Sequence, residues 1–424
     1  MFARLLFTGV ALACLAQHVS ADDNPAQWMQ WRGPQRDGIV QGPPWPATLQ
    51  GSALEERWRV ELAEGYPGPI VGKDRIFVVE TRTKSDEVVR CLDRKTGKQL
   101  WEYSWKGSMT VPFFASANGS WVRSTPGYDG ESLYVAGMRD VLVCLDATTG
   151  KPRWKADLME RYKTPLPAFG FVCSPLVDDQ AVYVQAAASF LKINKKTGET
   201  LWRTLSDGGG MYGSAFSSPI FATIQGKKQI VVQTRTTLAG VDLDKGTVLW
   251  KQEIPAFRGM NILTPTMHGD AIFTSAYGAK TYLFRPEKDG VKTVWTLPMD
   301  ANMSSPVIIG KHAYLHLKNQ RFTCIDLENG KTCWTTAKPF GKYMSMVAQG
   351  DRILALDQRG ILFLFKANPE KFEQIDERRV SKQETWGHLA VVGDEIYIRE
   401  LKGLTVFRWA PTRSAQAGAP ASGQ

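Results

Sequence analysis

Cysteine is scarce in this chain, six in 424 residues, and no two stand adjacent or in a C-x-x-C pair. That removes the thiolate clusters that hold structural zinc. Helical periodicity is nearly absent, and no Pro-, Gly- or Ser-rich linker divides Trp58 from Trp409. A chain this long would ordinarily split into two or three domains, so the missing linker calls for an architecture that grows without splitting. The formal charge is +10, from 52 Lys and Arg against 42 Asp and Glu. No basic helix or recognition motif accompanies it, which argues against nucleic acid and leaves acidic surfaces and small anions as counterparts.

What the chain does have is repetition. "CLDRKTGKQLW" (Cys91 to Trp101) returns as "CLDATTGKPRW" (Cys144 to Trp154). Asp or Asn stands eight residues before the tryptophan and Gly four before it in five copies: Asp93, Gly97, Trp101; Asp146, Gly150, Trp154; Asn194, Gly198, Trp202; Asp242, Gly246, Trp250; and Asp326, Gly330, Trp334. The Asp or Asn oxygen accepts backbone N–H groups about two residues on, and Gly supplies positive φ, so D-x-x-T-G is a hairpin corner. Apolar β-formers precede it and a half-buried tryptophan strand follows.

A second hairpin precedes each first one: a Ser, Thr or Gly, then Pro, an apolar triplet, a turn and an apolar strand. Clear copies start at Gly68, Cys173, Thr264 and Ser305, looser ones at Thr125, Ser218, Ser345 and Leu389, spaced by 40 to 57 residues. Pro is tolerated at the first residue of a strand. Eight units of four strands at this period predict a radial β-propeller. "FEQI" (Phe372 to Ile375) serves as the fourth strand of a degenerate seventh unit, while the eighth ends near Trp409 without one. "ERWRVEL" (Glu56 to Leu62) has the character to supply it, so that the first strand closes the last blade and no sheet edge stays open.

The expected organisation is a signal peptide at 1–21, a leader at 22–55, the propeller at 56–410 and a disordered tail at 411–424. The start has one Arg, an apolar run from Leu5 to Leu15 too short to span a bilayer, and small residues at Val19 and Ala21, which predicts export. A lipid anchor on Cys14 is disfavoured, because Ala11 stands where Leu is usual. The tail lacks apolar content to fold. Of the five remaining cysteines, Cys91, Cys144 and Cys324 each lie ten residues before a repeat tryptophan; buried thiols between strands explain them, and the odd count leaves at least one unpaired.

These repeats resemble the pyrroloquinoline quinone (PQQ)-like β-propeller family, the superfamily of BamB-like and quinoprotein alcohol dehydrogenase-like proteins, from about Trp28 to Trp409. "WMQWRGPQRDG" (Trp28 to Gly38) also looks like the leader of secreted bacterial members. The resemblance implies an all-β, eight-bladed fold in which Trp58, Trp101, Trp154, Trp202, Trp250, Trp295 and Trp334 dock blades, with Gly97, Gly150, Gly198, Gly246 and Gly330 at the turns. It implies a monomer of the periplasm or cell exterior that binds or scaffolds without catalysis, its partner an envelope protein. The alternatives are a PQQ-dependent alcohol or sugar dehydrogenase and a propeller for anionic carbohydrate.

A dehydrogenase of this kind would need PQQ, calcium with six to eight oxygen ligands, and an Asp base at the channel mouth. The loops leading into the inner strands are rich in aromatics, Met and Asn but poor in carboxylates, and Asp207 and Asp300 each sit several residues before a strand. No catalytic residue, metal ligand or resident cofactor is therefore expected. His312 and His316 on one strand would stand about 13 Å apart, too far to chelate one ion. The ligand-face candidates are a ring of cations between the second and third strands of seven units: Arg82 or Lys84, Arg139, Arg235, Lys280, Lys318, Arg359 and Lys402. Trp121, Tyr212, Phe216, Asn261, Asn302 and Trp386 in the leading loops complete the set, and an anionic small molecule or glycan is the ligand they would take.

Overall fold

A computed structural model describes residues 27–209, 213–301 and 303–410. They form eight four-stranded antiparallel sheets, the blades of one propeller. Blades 1 to 7 occupy residues 70–106, 127–157, 176–204, 220–253, 266–297, 307–335 and 344–379. Blade 8 takes three strands from residues 390–409 and its outermost from Leu54–Glu61, which pairs with Gly403–Trp409 from Leu54 opposite Trp409 to Glu61 opposite Gly403. Closure by the first strand is thus as expected, with the strand starting two residues before Glu56. The first strands of neighbouring blades, such as Gly127–Tyr128 and Leu176–Val177, touch one another and line the central channel.

Two local devices join the blades. On the turn face, Asp146 Oδ1 accepts the N–H groups of Thr148 and Thr149, and Gly150 N–H closes the turn on the Asp146 carbonyl at 2.8 Å with φ of 72°. The tryptophan of the preceding blade lies on that glycine: a Cβ at Gly150 would sit 2.6 Å from the Trp101 ring. Trp101 Nε1 donates to the Ala147 carbonyl at 3.1 Å, and Trp154, Trp202 and Trp295 repeat the bond to Lys195, Leu243 and Leu327. Trp58 covers Gly97, and Trp334 donates to Asn368 of blade 7.

Trp250 departs from the docking role expected of it. Blade 5 joins its last two strands at Lys288 and Asp289, without a D-x-x-T-G turn, so no glycine or carbonyl awaits the indole. Trp250 Nε1 donates instead to Gln229 within its own blade at 2.7 Å, while its ring packs against the apolar cluster shared by blades 4 and 5.

The second device is at the channel. At three of the blades the hydroxyl before the proline accepts a backbone N–H from the blade beside it: Gly68 to Thr125, Ser174 to Ser218 and Thr264 to Ser305, all near 3.0 Å. Proline tolerance explains only half of the S/T-P motif; the hydroxyl satisfies backbone where the short inner strands run out.

The described part of the leader, from residue 27, packs into the axis of the propeller. Trp28 bridges Val71 of blade 1, Met29 accepts the Tyr128 N–H of blade 2, and Ile39 bridges Ala348 of blade 7. Between them a knuckle of turns pushes up the channel and carries two fully buried arginines. Arg32 donates to the carbonyls of Arg36, Asp37 and Pro306, and Arg36 to that of Ser174. The segment leaves under blade 7, where Asp376 holds Thr48 and Leu49, and Trp45 stacks on Trp409 at 5.5 Å.

Cys91, Cys144 and Cys324 face Trp101, Trp154 and Trp334 across paired strands, the equivalence their spacing predicts. All five cysteines here are free, four buried and Cys333 partly so. The expected signal peptide and tail lie outside the described residues.

Candidate functional site

At the end of the channel opposite the D-x-x-T-G turns, the loops leading into all eight blades surround a cavity of about 460 Å³. Trp31, at the tip of the leader knuckle, forms its floor, held by Nε1 to Thr264 Oγ1 at 3.0 Å and edge-on to the buried His388. The leader therefore makes the channel a blind cup. Its lining holds nine aromatic residues, Trp31, Tyr66, Phe114, Phe169, Phe216, Phe257, Tyr277, Tyr343 and Trp386, with Met260, Met303, Val172 and Ile262.

The rings form a continuous wall: Tyr343 stacks on Trp386 at 5.8 Å, Tyr66 meets Trp386 at 5.8 Å, and Trp121 backs Tyr66 edge-on at 5.7 Å. The polar lining is Asn118, Ser174, Ser218, Arg123 and Arg258, and no described lining residue is acidic.

Both lining arginines are held against aromatic faces. Arg123 lies 5.3 Å from the Tyr66 centroid and gives Nη2 to the Asn118 and Gly119 carbonyls, while its buried Nε has no hydrogen-bond partner. No described carboxylate pairs with it; burial lowers its pKa to about 10, and Tyr66 is the group that partly restores it. Arg258 lies over Phe257 at 5.0 Å and over Phe114 at 5.8 Å, which links the loop of blade 5 to that of blade 2 across the mouth. The cations beneath add to the field. Burial brings Arg32 to about 10 and Arg36 to about 9, and Arg36 donates to the carbonyl of Ser174, a lining residue.

The loops are themselves built to project aromatics. The Phe113–Asn118 3-10 turn rests on a small cluster of Val111, Ala115 and Met138, leaving Phe113 89% exposed and Phe114 half exposed. Phe257, also about half exposed, opens a similar turn in the blade 5 loop.

The expected basic ring stands outside this cup and is largely neutralised. Arg82 pairs with Glu80 and Glu102, Arg235 with Asp207, Lys318 with Asp300, Arg359 with Asp357, and Lys402 with Glu64, at 2.5 to 3.6 Å. Lys84, Arg139 and Lys280 are exposed at the rim. Asp207 and Asp300 thus serve rim ion pairs and line no part of the cup. Asn261 is buried and donates to the Thr234, Arg235 and Ile254 carbonyls, a structural task. Of the candidates, Phe216 and Trp386 line the cup and Trp121 backs it; Tyr212 and Asn302 lie outside the described residues. His316 is buried against Ser304, its pKa lowered by burial to about 4. Among the described residues no group of three or more His, Cys, Asp or Glu is placed to hold a metal.

Sequence reasoning identified the loops but chose their polar members by symmetry. The signal for Arg123 and Arg258 was their place next to the inner strands, and for Trp31 the leader motif itself.

Fold and cup define an eight-bladed propeller with a plugged axis and an aromatic binding face. The family model described as "Outer membrane protein assembly factor BamB", a PQQ-repeat model, matches residues 48–122 and 85–336, and the chain belongs to that family. BamB of Yersinia pestis is 20% identical over 257 residues, 58% of this chain and 61% of its own. The tetrathionate hydrolase of Acidithiobacillus ferrooxidans is 24% identical over 224 residues, 49% of this chain and 40% of that enzyme. The matched segments thus span less than two thirds of these two relatives. Among solved structures, BamB from Moraxella catarrhalis superposes with a TM-score of 0.62 at 14% identity, covering 85% of this chain and 99% of that one. The quinohemoprotein alcohol dehydrogenase ADHIIG of Pseudomonas putida gives 0.65 at 12% identity, covering 94% and 82%. At such identities the likeness is one of fold.

Proposed function

We propose that this protein is an exported, non-catalytic binding propeller of the cell envelope that receives part of another polypeptide in its aromatic cup. The observation that carries this reading is the cup's lining: nine aromatic rings and two arginines over a sealed channel, with no described acid. Large aromatics and Arg are the side chains that dominate protein recognition. Family membership supports a role beside outer-membrane assembly factors. No described helix is long and apolar enough to cross a membrane.

The likeness to a quinohemoprotein dehydrogenase favours a second reading, and the cup tests it. The rings would stack a flat quinone and the arginines would meet its carboxylates. Calcium, however, needs six to eight oxygens and favours carboxylates, and the lining supplies those of Asn118, Ser174, Ser218 and backbone. Among the described lining residues no Asp or Glu stands where a general base would. The residues do not fit the calcium–quinone pair, and no reaction is derived through it.

Photo-crosslinking side chains at Phe113 and Phe257 on the mouth, against Leu100 and Leu201 on the blade edges, test the proposal in producing cells. An adduct with one envelope polypeptide, formed from the mouth positions alone, is the expected result. Equal adducts from both sets, or a bound quinone in protein purified after incubation with PQQ and calcium, would overturn it.

A further inference from the structure

The mouth of this propeller combines two features that ordinary surface does not. One is exposed apolar surface: Phe113, Phe114 and Phe257 stand up around the cavity, contiguous with its aromatic wall. Such a patch marks an interaction site, and it extends beyond what a molecule sitting inside the cup would cover. The other is uncompensated positive charge in an apolar setting. Arg123 has a buried Nε without a partner and no described carboxylate beside it, and Arg32 and Arg36 lie beneath the floor, bonded to carbonyls. Glu384, which accepts from Trp386 Nε1 at 2.9 Å, is the nearby acid, and it is exposed and outside the lining. Asp37 acts on Arg32 beneath the floor, whereas Arg123 in the lining has no described carboxylate beside it; buried cations are ordinarily paired, so the lining is matched to an anion brought by its ligand.

Resting on the polypeptide-binding reading above, we infer that the cup is a socket for an aromatic side chain flanked by a carboxylate, carried on an extended segment of a partner protein. The aromatic ring enters the wall formed by Tyr66, Tyr343 and Trp386. The adjoining carboxylate pairs with Arg123, whose guanidinium is already fixed by two carbonyls and the Tyr66 face. Residues on either side of this anchor lie across Phe113 and Phe257, and the Arg258 to Phe114 contact sets the width of the opening. The charge supplies the selectivity: a lysine beside the aromatic residue would be driven into the field of Arg123 with no lining acid to receive it.

The test uses the full chain and dye-labelled eight-residue peptides read by fluorescence anisotropy: one with a central Trp between two Asp, one with Lys for Asp, one with Ala for Trp. The Asp–Trp peptide is expected to bind about tenfold or more tighter than either control, with a preference that shrinks as salt rises. Arg123→Gln is expected to abolish the preference for Asp over Lys. Arg139→Ala, which removes the same charge from the exposed rim, leaves it unchanged. Phe257→Ser, an exposed substitution that leaves the fold intact, weakens every Trp peptide alike.

Equal binding of all three peptides would sink the inference and leave the polypeptide-binding reading standing. A preference that survives Arg123→Gln in a protein of unchanged melting temperature would also sink it. If no peptide binds, whether or not PQQ or heparin does, the inference and the reading of the cup as a polypeptide socket fall together.

Discussion

The two faces of this propeller obey opposite rules. On the turn face the same three residues recur in five blades, and Trp101, Trp154, Trp202 and Trp295 each meet the next blade's glycine and carbonyl in nearly the same way. On the mouth face the loops follow no repeat: 3-10 turns that carry phenylalanine lead into blades 2 and 5, while blade 8 offers Trp386. Every interface between blades poses the same packing problem, so a good local solution is repeated. A ligand is not eightfold symmetric, so its site is written in departures from the repeat. Stability should therefore respond to the turn face and binding to the mouth.

The severest way to break this division is to delete residues 27–61, which removes both the axial plug and the outer strand of blade 8. We expect loss of cooperative folding, measured by thermal unfolding; a variant melting like the parent would show that neither element holds the ring. Next, Trp154→Ala should lower the unfolding free energy by about 3 kcal/mol in denaturant titration, since it removes a large packed aromatic and an interblade hydrogen bond. Gly150→Val should be comparably harmful, because its φ of 72° is strained for any Cβ and the Trp101 ring occupies the space.

A smaller effect lies in pH. Glu87 of blade 1 is buried and accepts the Met138 N–H of blade 2 at 2.6 Å; burial raises its pKa to about 7, with Lys155 and Arg139 opposing. The folded protein keeps this proton up to about pH 7, whereas the unfolded chain releases it near the ordinary glutamate value of 4.5. The contribution of Glu87 is therefore full below pH 4.5 and declines as pH rises through 7. Asp140, raised by burial to about 6, acts in the same direction on blade 3 through the Ala187 N–H. Melting temperatures measured from pH 5 to 8 should fall more steeply in the parent than in Glu87→Gln; parallel curves would remove Glu87 from the account. Least of all, Phe257→Ala on the mouth should change stability by no more than about 0.5 kcal/mol.

The same asymmetry explains what the sequence made legible. Eight units, their strand order and closure by Trp58's strand follow from spacing alone, because turn chemistry and strand periodicity are local. Gly150's positive φ and the shared position of Cys91, Cys144 and Cys324 were readable for the same reason. Trp250 was assigned by its motif, but docking depends on the facing blade, and blade 5 carries no matching turn. The cations of the ring were chosen by equivalence, and equivalence placed them beside their own blades' carboxylates. Arg123 and Arg258 occupy no repeated position. Their role comes from loops of different length converging over one axis, a distance relation that no local pattern encodes. Nor could the leader motif announce that Arg32 and Arg36 would be buried in the channel.

The threaded leader also bears on the order in which this molecule can assemble. Trp58 pairs with Val406, so the last blade to leave the ribosome is completed by nearly the first folded residues, and loop closure over that separation is slow. A chain truncated before blade 8 cannot present a finished rim, and a cup with Trp31 as its floor exists only once the leader and blade 8 have both arrived. Completion of the binding face thus reports that synthesis has passed blade 8, a proofreading property that follows from topology alone.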